Sequence, residues 1–540
     1  MDKLKKIIDE LFEEKISLLS WIFIFLGAIF LRCFIEQFLA FSKPLFPQEY
    51  LMEYIHTLLF FSLSIVMIWL FLSLILGIKP EKLSKVLIFS SLFIIFPPLI
   101  DMVKTGGEAY WSFYLFSAPR DLFLQYITFF GHLPSAIVYF GTKIVFIVVI
   151  FLLLGLIFFK TRSLIKSIAT VIGVYSILFL MGAFPSFFFY FYNFIFGTTK
   201  FFEIKSFEIF KFFSPMDNVL GINFQSIKYA VAFRLNFIYF ILLLILLVIL
   251  FYAIDAKKFI AVIKNFRYPQ VVYHSGLFFI GVTIGVINYP ENFKLNLFSI
   301  LAVAVILVSV WLAWKTSVII NDLNDDKIDA ISNPDRPLPQ GIFNRKEYTQ
   351  LGLICFLLSI LGGLSLGFPF AFLIIAYQII AWAYSVNPFR LKRFPLVATL
   401  VSSLASLMVL FLGFILISKG QTIHTLSSRI VFLMIISGTL SLPIKDFKDI
   451  AGDKKDNIFT IPVIFGEKKS RVIVASGLFI SFILSVFFLN ELSLFWWAML
   501  FGSFAFLMVV SNKIKPRNIF WPTLGVIFVY GLVMIKVLFF

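Results

Sequence analysis

Charge is what this 540-residue chain has least of: only 14% of it is Asp, Glu, Lys or Arg, and 61% is hydrophobic. A water-soluble globule carries roughly a quarter charged residues, so this chain lacks the polar surface to cover one. Cysteine is almost absent. Cys33 and Cys355 each lie inside an apolar run, which excludes a disulfide framework or a thiolate metal cluster and leaves them as packing residues. The four histidines, His56, His132, His274 and His424, are scattered without ligand spacing. They are read as structural or interfacial. Acidic residues are scarce too, 29 against 46 basic, for a net charge of +17. The basic residues sit in short loops between apolar runs instead of forming a basic patch, so no nucleic-acid partner is expected.

What the chain does have is apolar runs of membrane-spanning length. A barrel would show weak period-2 segments instead, so the expected fold class is all-α, a polytopic transmembrane helical bundle in the lipid bilayer. Runs fall near 17–41, 55–77, 86–103, 136–159, 167–196 and 236–254. Others follow near 272–288, 296–317, 349–366, 368–386, 395–417, 428–444, 471–489, 493–511 and 519–538. That is about 15 spans, six then nine. The first run is too long for a secretory signal and is read as a retained helix.

Loop charges set the orientation. With the N-terminus cytoplasmic, inner loops of the second half hold most of its basic residues, and its outer loops hold only Lys294, Lys419 and Arg429. The expected location is a cytoplasmic or plasma membrane. The basic stretch Asp255–Pro269 marks a domain boundary after six crossings: 1–255, a six-span unit of no assigned role, and 256–540, a nine-span unit. Two long outer loops, about 104–135 and 197–235, are rich in aromatics. No clear repeat relates the halves.

Against the basic inner face, two acidic clusters stand out. One reads Asn321-Asp322-Leu323-Asn324-Asp325-Asp326-Lys327-Ile328-Asp329, and the other Lys445-Asp446-Phe447-Lys448-Asp449-Ile450-Ala451-Gly452-Asp453. Asn321, Asp325 and Asp329 are spaced i, i+4, i+8, on one helical face; Asp446, Asp449 and Asp453 also share a face. Like charges so stacked repel, and a hard divalent cation offsets that. Magnesium binds through a few carboxylates and completes its shell with water and phosphate oxygens. Two clusters facing each other at the membrane surface could grip a diphosphate whose hydrocarbon tail stays in the bilayer. The plainer alternative is a set of solvated loop carboxylates balancing the inner lysines.

These segments resemble the UbiA superfamily of intramembrane prenyltransferases. The family's NDxxDxxxD motif and following RPLPxG element are matched by Asn321 to Asp329 and by Arg336-Pro337-Leu338-Pro339-Gln340-Gly341. DxxDxxGD followed by TLPxxxG is matched by Asp446 to Asp453 and by Thr460-Ile461-Pro462-Val463-Ile464-Phe465-Gly466. A YSxxPxRLKR-like loop is matched by Tyr384 to Arg393. Asn457 departs from the glycine common before the last element.

The resemblance covers about 256–540. It implies a nine-helix bundle on the cytoplasmic side of which two magnesium ions hold a polyprenyl diphosphate donor. Asn321, Asp325 and Asp329 would take one ion, Asp449 and Asp453 the other, with Asp322 and Asp446 as further metal positions. Asp325, Asp329, Asp449 and Asp453 would be the catalytic carboxylates. Arg336, Arg390, Lys392, Arg393, Lys445 and Tyr384 would bind the diphosphate. The implied reaction is magnesium-dependent transfer of the prenyl group to a hydrophobic aromatic or alcohol acceptor, with release of diphosphate. The NPDRPLPQG and RLKR forms look closer to the digeranylgeranylglyceryl phosphate synthase and chlorophyll-synthase branches than to the 4-hydroxybenzoate branch. Competing readings are a transporter, or a non-catalytic lipid-binding protein, using the acidic clusters as a divalent-cation site.

Elsewhere, Gly362, Gly363 and Gly367 at a span end suit close helix packing. Asp101 after Pro97-Pro98, and Arg120-Asp121 in a long loop, are weaker polar candidates in the first half.

Overall fold

The computed structural model describes residues 8, 10–12, 16–39, 47–106, 114–131, 140–214, 220, 227–326, 329–330, 333–448, 450–455, 458–511 and 513–539. Among these there is no strand, and fifteen helices are long and apolar enough to cross a bilayer. The expected all-α polytopic bundle is what is found, six spans followed by nine. The chain divides into two compact units, Met1–Asp217 with Phe224–Ala256, and Asn218–Asn223 with Lys257–Phe540.

In the first unit the helices are α1 (Leu18–Leu39), α2 (Pro47–Leu76), α3 (Pro80–Ser91), α4 (Phe96–Thr105), α5 (Pro119–Ile127), α6 (Phe140–Thr161), α7 (Leu164–Gly182), α8 (Phe184–Phe196), α9 (Ser206–Phe213) and α10 (Ile227–Ile254). Ile8, Phe12, Leu72, Leu83, Leu87, Ile157 and Val174 form a buried cluster at one end of this unit. Two long apolar runs are broken by proline. The run near 86–103 becomes α3, a short 3-10 turn and α4 at Pro97-Pro98, and 167–196 becomes α7 and α8 around Pro185. Proline lacks the N–H an α-helix needs and crowds the preceding turn, so each new helix opens with proline in its first turn.

The second unit continues with α11 (Ala256–Lys264), α12 (Tyr268–Asn288), α13 (Leu297–Asn324), α14 (Arg345–Leu364), α15 (Phe368–Ser385), α16 (Pro395–Ile417), α17 (Ser428–Ser441), α18 (Ile450–Lys455), α19 (Ile461–Leu489), α20 (Phe495–Val510) and α21 (Phe520–Phe539). Its most enclosed span is α16, 67% buried over its apolar window. Glycine lets α12 approach it: a Cβ on Gly281 would lie 2.1 Å from the Leu410 carbonyl oxygen, and one on Gly413 would lie 2.0 Å from that of Phe278. Without a hydrophobic drive between helices in lipid, such small-residue contacts hold the bundle together.

Candidate functional site

The first acidic cluster begins inside α13 and runs past its end. Backbone N–H groups of Asp325, Asp329 and Asn333 donate to the carbonyls of Asn321, Asp325 and Asp329 at 2.9, 2.8 and 2.9 Å. This four-residue rhythm puts Asn321, Asp325 and Asp329 on one side of the turn, where all three line a cavity of about 230 Å³. The Pro337–Gly341 element turns the chain back, with Gly341 at φ +66°, a conformation that favours glycine. Arg336 is thereby brought over the cluster.

The carboxylates are already paired with bases. Asp325 accepts from Lys392 and, at 3.2 Å, from Arg390. Asp329 accepts from Arg336 and, at 3.2 Å, from Asn333. Burial raises the Asp329 carboxyl from its ordinary value to about 6; Arg336 pulls it down and Asp322 pushes it up. Burial likewise lowers the Lys392 ammonium, and Asp325 partly restores it. These groups are costly to bury unpaired, and the pairing keeps both signs at one place.

Asp322 lies beside Asp329 and shares Arg336 with it. Its Oδ1 accepts from Arg267 at 2.5 Å and Arg336 at 3.2 Å, and its Oδ2 from Asn265 at 2.8 Å and Tyr348 at 3.0 Å. Four donors occupy its two oxygens, and it is absent from the cavity lining.

The second cluster contributes Asp446 and Asp453, which line the same cavity. Asp449 lies outside the described residues, as does Asn457. Lys445 donates to Ser402 at 2.8 Å and to the Tyr384 hydroxyl at 3.3 Å, with its ammonium 4.9 Å from the Tyr384 ring centre. Of the sequence-named residues, Asn321, Asp325, Asp329, Arg336, Tyr384, Lys392, Lys445, Asp446 and Asp453 therefore meet in one cavity. Arg390 reaches it through Asp325. Arg393 is not among the lining residues.

Several contributors carry no local sequence signal. Arg267 lines the cavity and reaches Asp322 across 55 positions. Tyr273, His274, Trp314 and Tyr377 form its aromatic wall. The His274 ring bonds the Gln270 carbonyl at 2.6 Å through Nδ1, which must therefore carry the proton, and Nε2 accepts from Tyr377 at 3.1 Å. One residue did have a signal. Lys315, alone in an apolar run, is buried and donates to the carbonyls of Val262 and Asn265 at 3.2 and 3.0 Å. It closes the end of α11 and fixes the Asn265–Arg267 turn.

The carboxylate and amide donors in the cavity are all hard oxygen. That chemistry fits magnesium, which uses few protein carboxylates and fills its shell from water and phosphate.

Residues 277–532 match the UbiA prenyltransferase family. The chain is 32% identical over 209 residues to a digeranylgeranylglyceryl phosphate synthase of Methanosphaera stadtmanae, across 38% of this chain and 71% of that protein. It is 31% identical over 153 residues to the bacteriochlorophyll synthase 33 kDa chain of Cereibacter sphaeroides, across 27% of this chain and 48% of that one. Among solved structures, a UbiA homologue from Archaeoglobus fulgidus bound to GPP and Mg2+ is similar at TM-score 0.40 and 18% identity, over 51% of this chain and 100% of that chain.

Proposed function

The chain belongs to the UbiA prenyltransferase family, and we propose from that premise that its second unit moves a polyprenyl group from an isoprenyl diphosphate to a lipophilic acceptor. The acceptor is an alcohol or an aromatic carbon, and the product side releases diphosphate. The chain is an integral multi-pass membrane protein, and the reaction belongs on its cytoplasmic face. One observation carries the reading: acidic and basic side chains from the loops after α13, α15 and α17 line a single small cavity with an aromatic wall.

In this reading Asn321, Asp325 and Asp329 hold one magnesium ion and Asp446, Asp449 and Asp453 another. Bound there, the ions supply Lewis-acid charge to the diphosphate oxygens. Arg336, Arg390, Lys392 and Lys445 turn from their carboxylate or hydroxyl partners toward the diphosphate, for which their donors are suited. Asp322 holds Arg267 and Arg336 in place from behind. As the allylic C–O bond breaks, the electron pair leaves with the diphosphate, and the basic residues neutralise that charge. Tyr273, Trp314 and Tyr377 line the space toward the bilayer and exclude water that would otherwise capture the allylic centre. The acceptor oxygen or carbon forms the new bond and loses its proton. His274 positions Tyr377.

The test is purified full-length protein with magnesium, labelled geranylgeranyl diphosphate and a panel of lipid alcohols and aromatic acids. Acceptor-dependent diphosphate release supports the reading. No turnover over the panel, or an unchanged rate in Asp325→Ala and Asp453→Ala, overturns it.

A further inference from the structure

Three helices of the second unit descend from the site in the same register. Arg267 and His274, Asn321 and Trp314, and Tyr384 and Tyr377 are each seven positions apart in the chain. All six line the one cavity. Seven residues make two helical turns, roughly 10 Å at 1.5 Å per residue. The cavity therefore has a charged level, at the start of α12 and the ends of α13 and α15, and an aromatic level two turns deeper.

The aromatic level holds a hydrogen-bonded pair. The Tyr377 hydroxyl donates to His274 Nε2 at 3.1 Å, and His274 Nδ1–H donates to the Gln270 carbonyl at 2.6 Å. Tyr377 is 4% exposed and His274 6%. A phenol oxygen that donates its proton can still accept one, so Tyr377 can receive a hydrogen bond from a group in the cavity.

The surroundings suit a second proton on the imidazole. Trp314 lies against His274 with ring centres 4.9 Å apart, a distance at which an indole face attracts a cation. The Gln270 carbonyl holds Nδ1–H in either protonation state. Nearby on the cavity wall, the Tyr273 hydroxyl donates to Ser406 at 2.9 Å, and Gln270 and Ser317 line the space between the two levels. Hydroxyl and amide groups on this wall suit a nucleophile that carries a hydroxyl.

Such a nucleophile needs a proton acceptor. An alcohol oxygen that attacks an allylic carbon becomes an oxonium, a strong acid, and a neutral imidazole is base enough for it. A donor with its diphosphate at the charged level points its allylic carbon down toward Tyr377. The acidic side chains stay at the charged level, assigned to metal.

We propose that Tyr377 and His274 form the proton relay for a lipid-alcohol acceptor. This rests on the prenyl-transfer reading and narrows its acceptor to a hydroxyl. The allylic C–O bond breaks with its electron pair going to the diphosphate, and the acceptor oxygen bonds to the same carbon. The acceptor proton passes to the Tyr377 oxygen as the Tyr377 proton passes to His274 Nε2, leaving an imidazolium. After product and diphosphate depart, water takes that proton back through Tyr377. Tyr377 touches the acceptor and is the catalytic residue; His274 acts through it.

The test uses purified full-length protein with magnesium and geranylgeranyl diphosphate, and compares a monoalkylglycerol with 4-hydroxybenzoate as acceptor. An ether product with the alkylglycerol is expected. Transfer only to a ring carbon of 4-hydroxybenzoate overturns the relay and leaves the prenyl-transfer reading intact; no transfer to these or to a wider panel overturns both. At saturating donor and acceptor, Tyr377→Phe and His274→Gln should each cut ether formation about 100-fold, the scale of lost general-base catalysis. Gln can accept from Tyr377 through its carbonyl oxygen but is no base, so it keeps the bond and removes the proton site. The double variant should be no slower than either single one, because the pair acts as a unit. Binding of geranylgeranyl thiolo-diphosphate, an unreactive donor analogue, and the melting temperature should change little in His274→Gln. Unchanged ether formation in both single variants, additive losses in the double, or losses matched by an equal loss of donor binding would overturn the proposal.

Discussion

Asp325 accepts hydrogen bonds from Lys392, buried beside it, and from Arg390 at 3.2 Å. The carboxylate assigned to a metal is thus held by the very cations assigned to the diphosphate. In the proposed reaction those partners would exchange, a dication taking the carboxylate and the anionic substrate the bases. Lys392→Met should therefore weaken donor binding while leaving the Asp325 carboxylate to be matched by Arg390 or by metal. We expect the Michaelis constant for the prenyl diphosphate to rise about tenfold or more, with a smaller change in the magnesium requirement. Steady-state kinetics with both components varied checks this.

Asp322 differs from Asp325 in kind. Replacing it with Ala removes the buried carboxylate that Arg267 pairs with and one of the two that Arg336 pairs with, which costs about 3–5 kcal/mol. Asp322→Ala should lower the melting temperature and the activity together, and excess magnesium should restore neither. Asp325→Asn, which keeps an oxygen acceptor beside Lys392 and Arg390, should lose activity with a smaller fall in melting temperature. Paired thermal unfolding and turnover measurements distinguish the two.

Burial holds the Asp329 carboxyl at about 6, so at pH 5.5 it is mostly protonated and above pH 7 it is ionised. A metal needs the ionised form, so binding at the lower pH must expel the proton. Apparent magnesium affinity should be flat above pH 7 and fall toward pH 5. Calorimetry in buffers of different ionisation enthalpy should show proton release at pH 5.5 and much less at pH 7.5. Equal release at both values would assign the proton elsewhere.

The α12–α16 contact is set by three glycines, Gly281, Gly285 and Gly413, with no room for a side chain. Gly413→Ala places a carbon against the Phe278 carbonyl and should cost about 1–3 kcal/mol or more through forced separation of the helices. Gly276→Ala, on α12 but with no atom within 4 Å of its added carbon, should be close to neutral. Unfolding in mild detergent compares the two.

Much of this was legible in the chain. Apolar length gave the spans, because lipid leaves a helix few alternatives. The i, i+4, i+8 spacing placed Asn321, Asp325 and Asp329 together because the backbone keeps its four-residue rhythm as far as Asn333. Pro185 and Pro97-Pro98 were visible breakers inside runs that hydropathy alone joined. The partners of Asp322 were not readable, since Asn265, Arg267 and Tyr348 come from α11, the turn after it and α14 and meet only through tertiary packing.

The central claim is that the two acidic clusters form one magnesium-dependent diphosphate site. The direct measurement is binding of a geranylgeranyl thiolo-diphosphate, which departs too slowly to react, to the full-length protein as magnesium is titrated. Tight binding should appear only with magnesium, and Asp325→Asn in the first cluster and Asp453→Asn in the second should each weaken it by about 100-fold. Binding that is equally tight without magnesium, or that is untouched by Asp453→Asn, would contradict it.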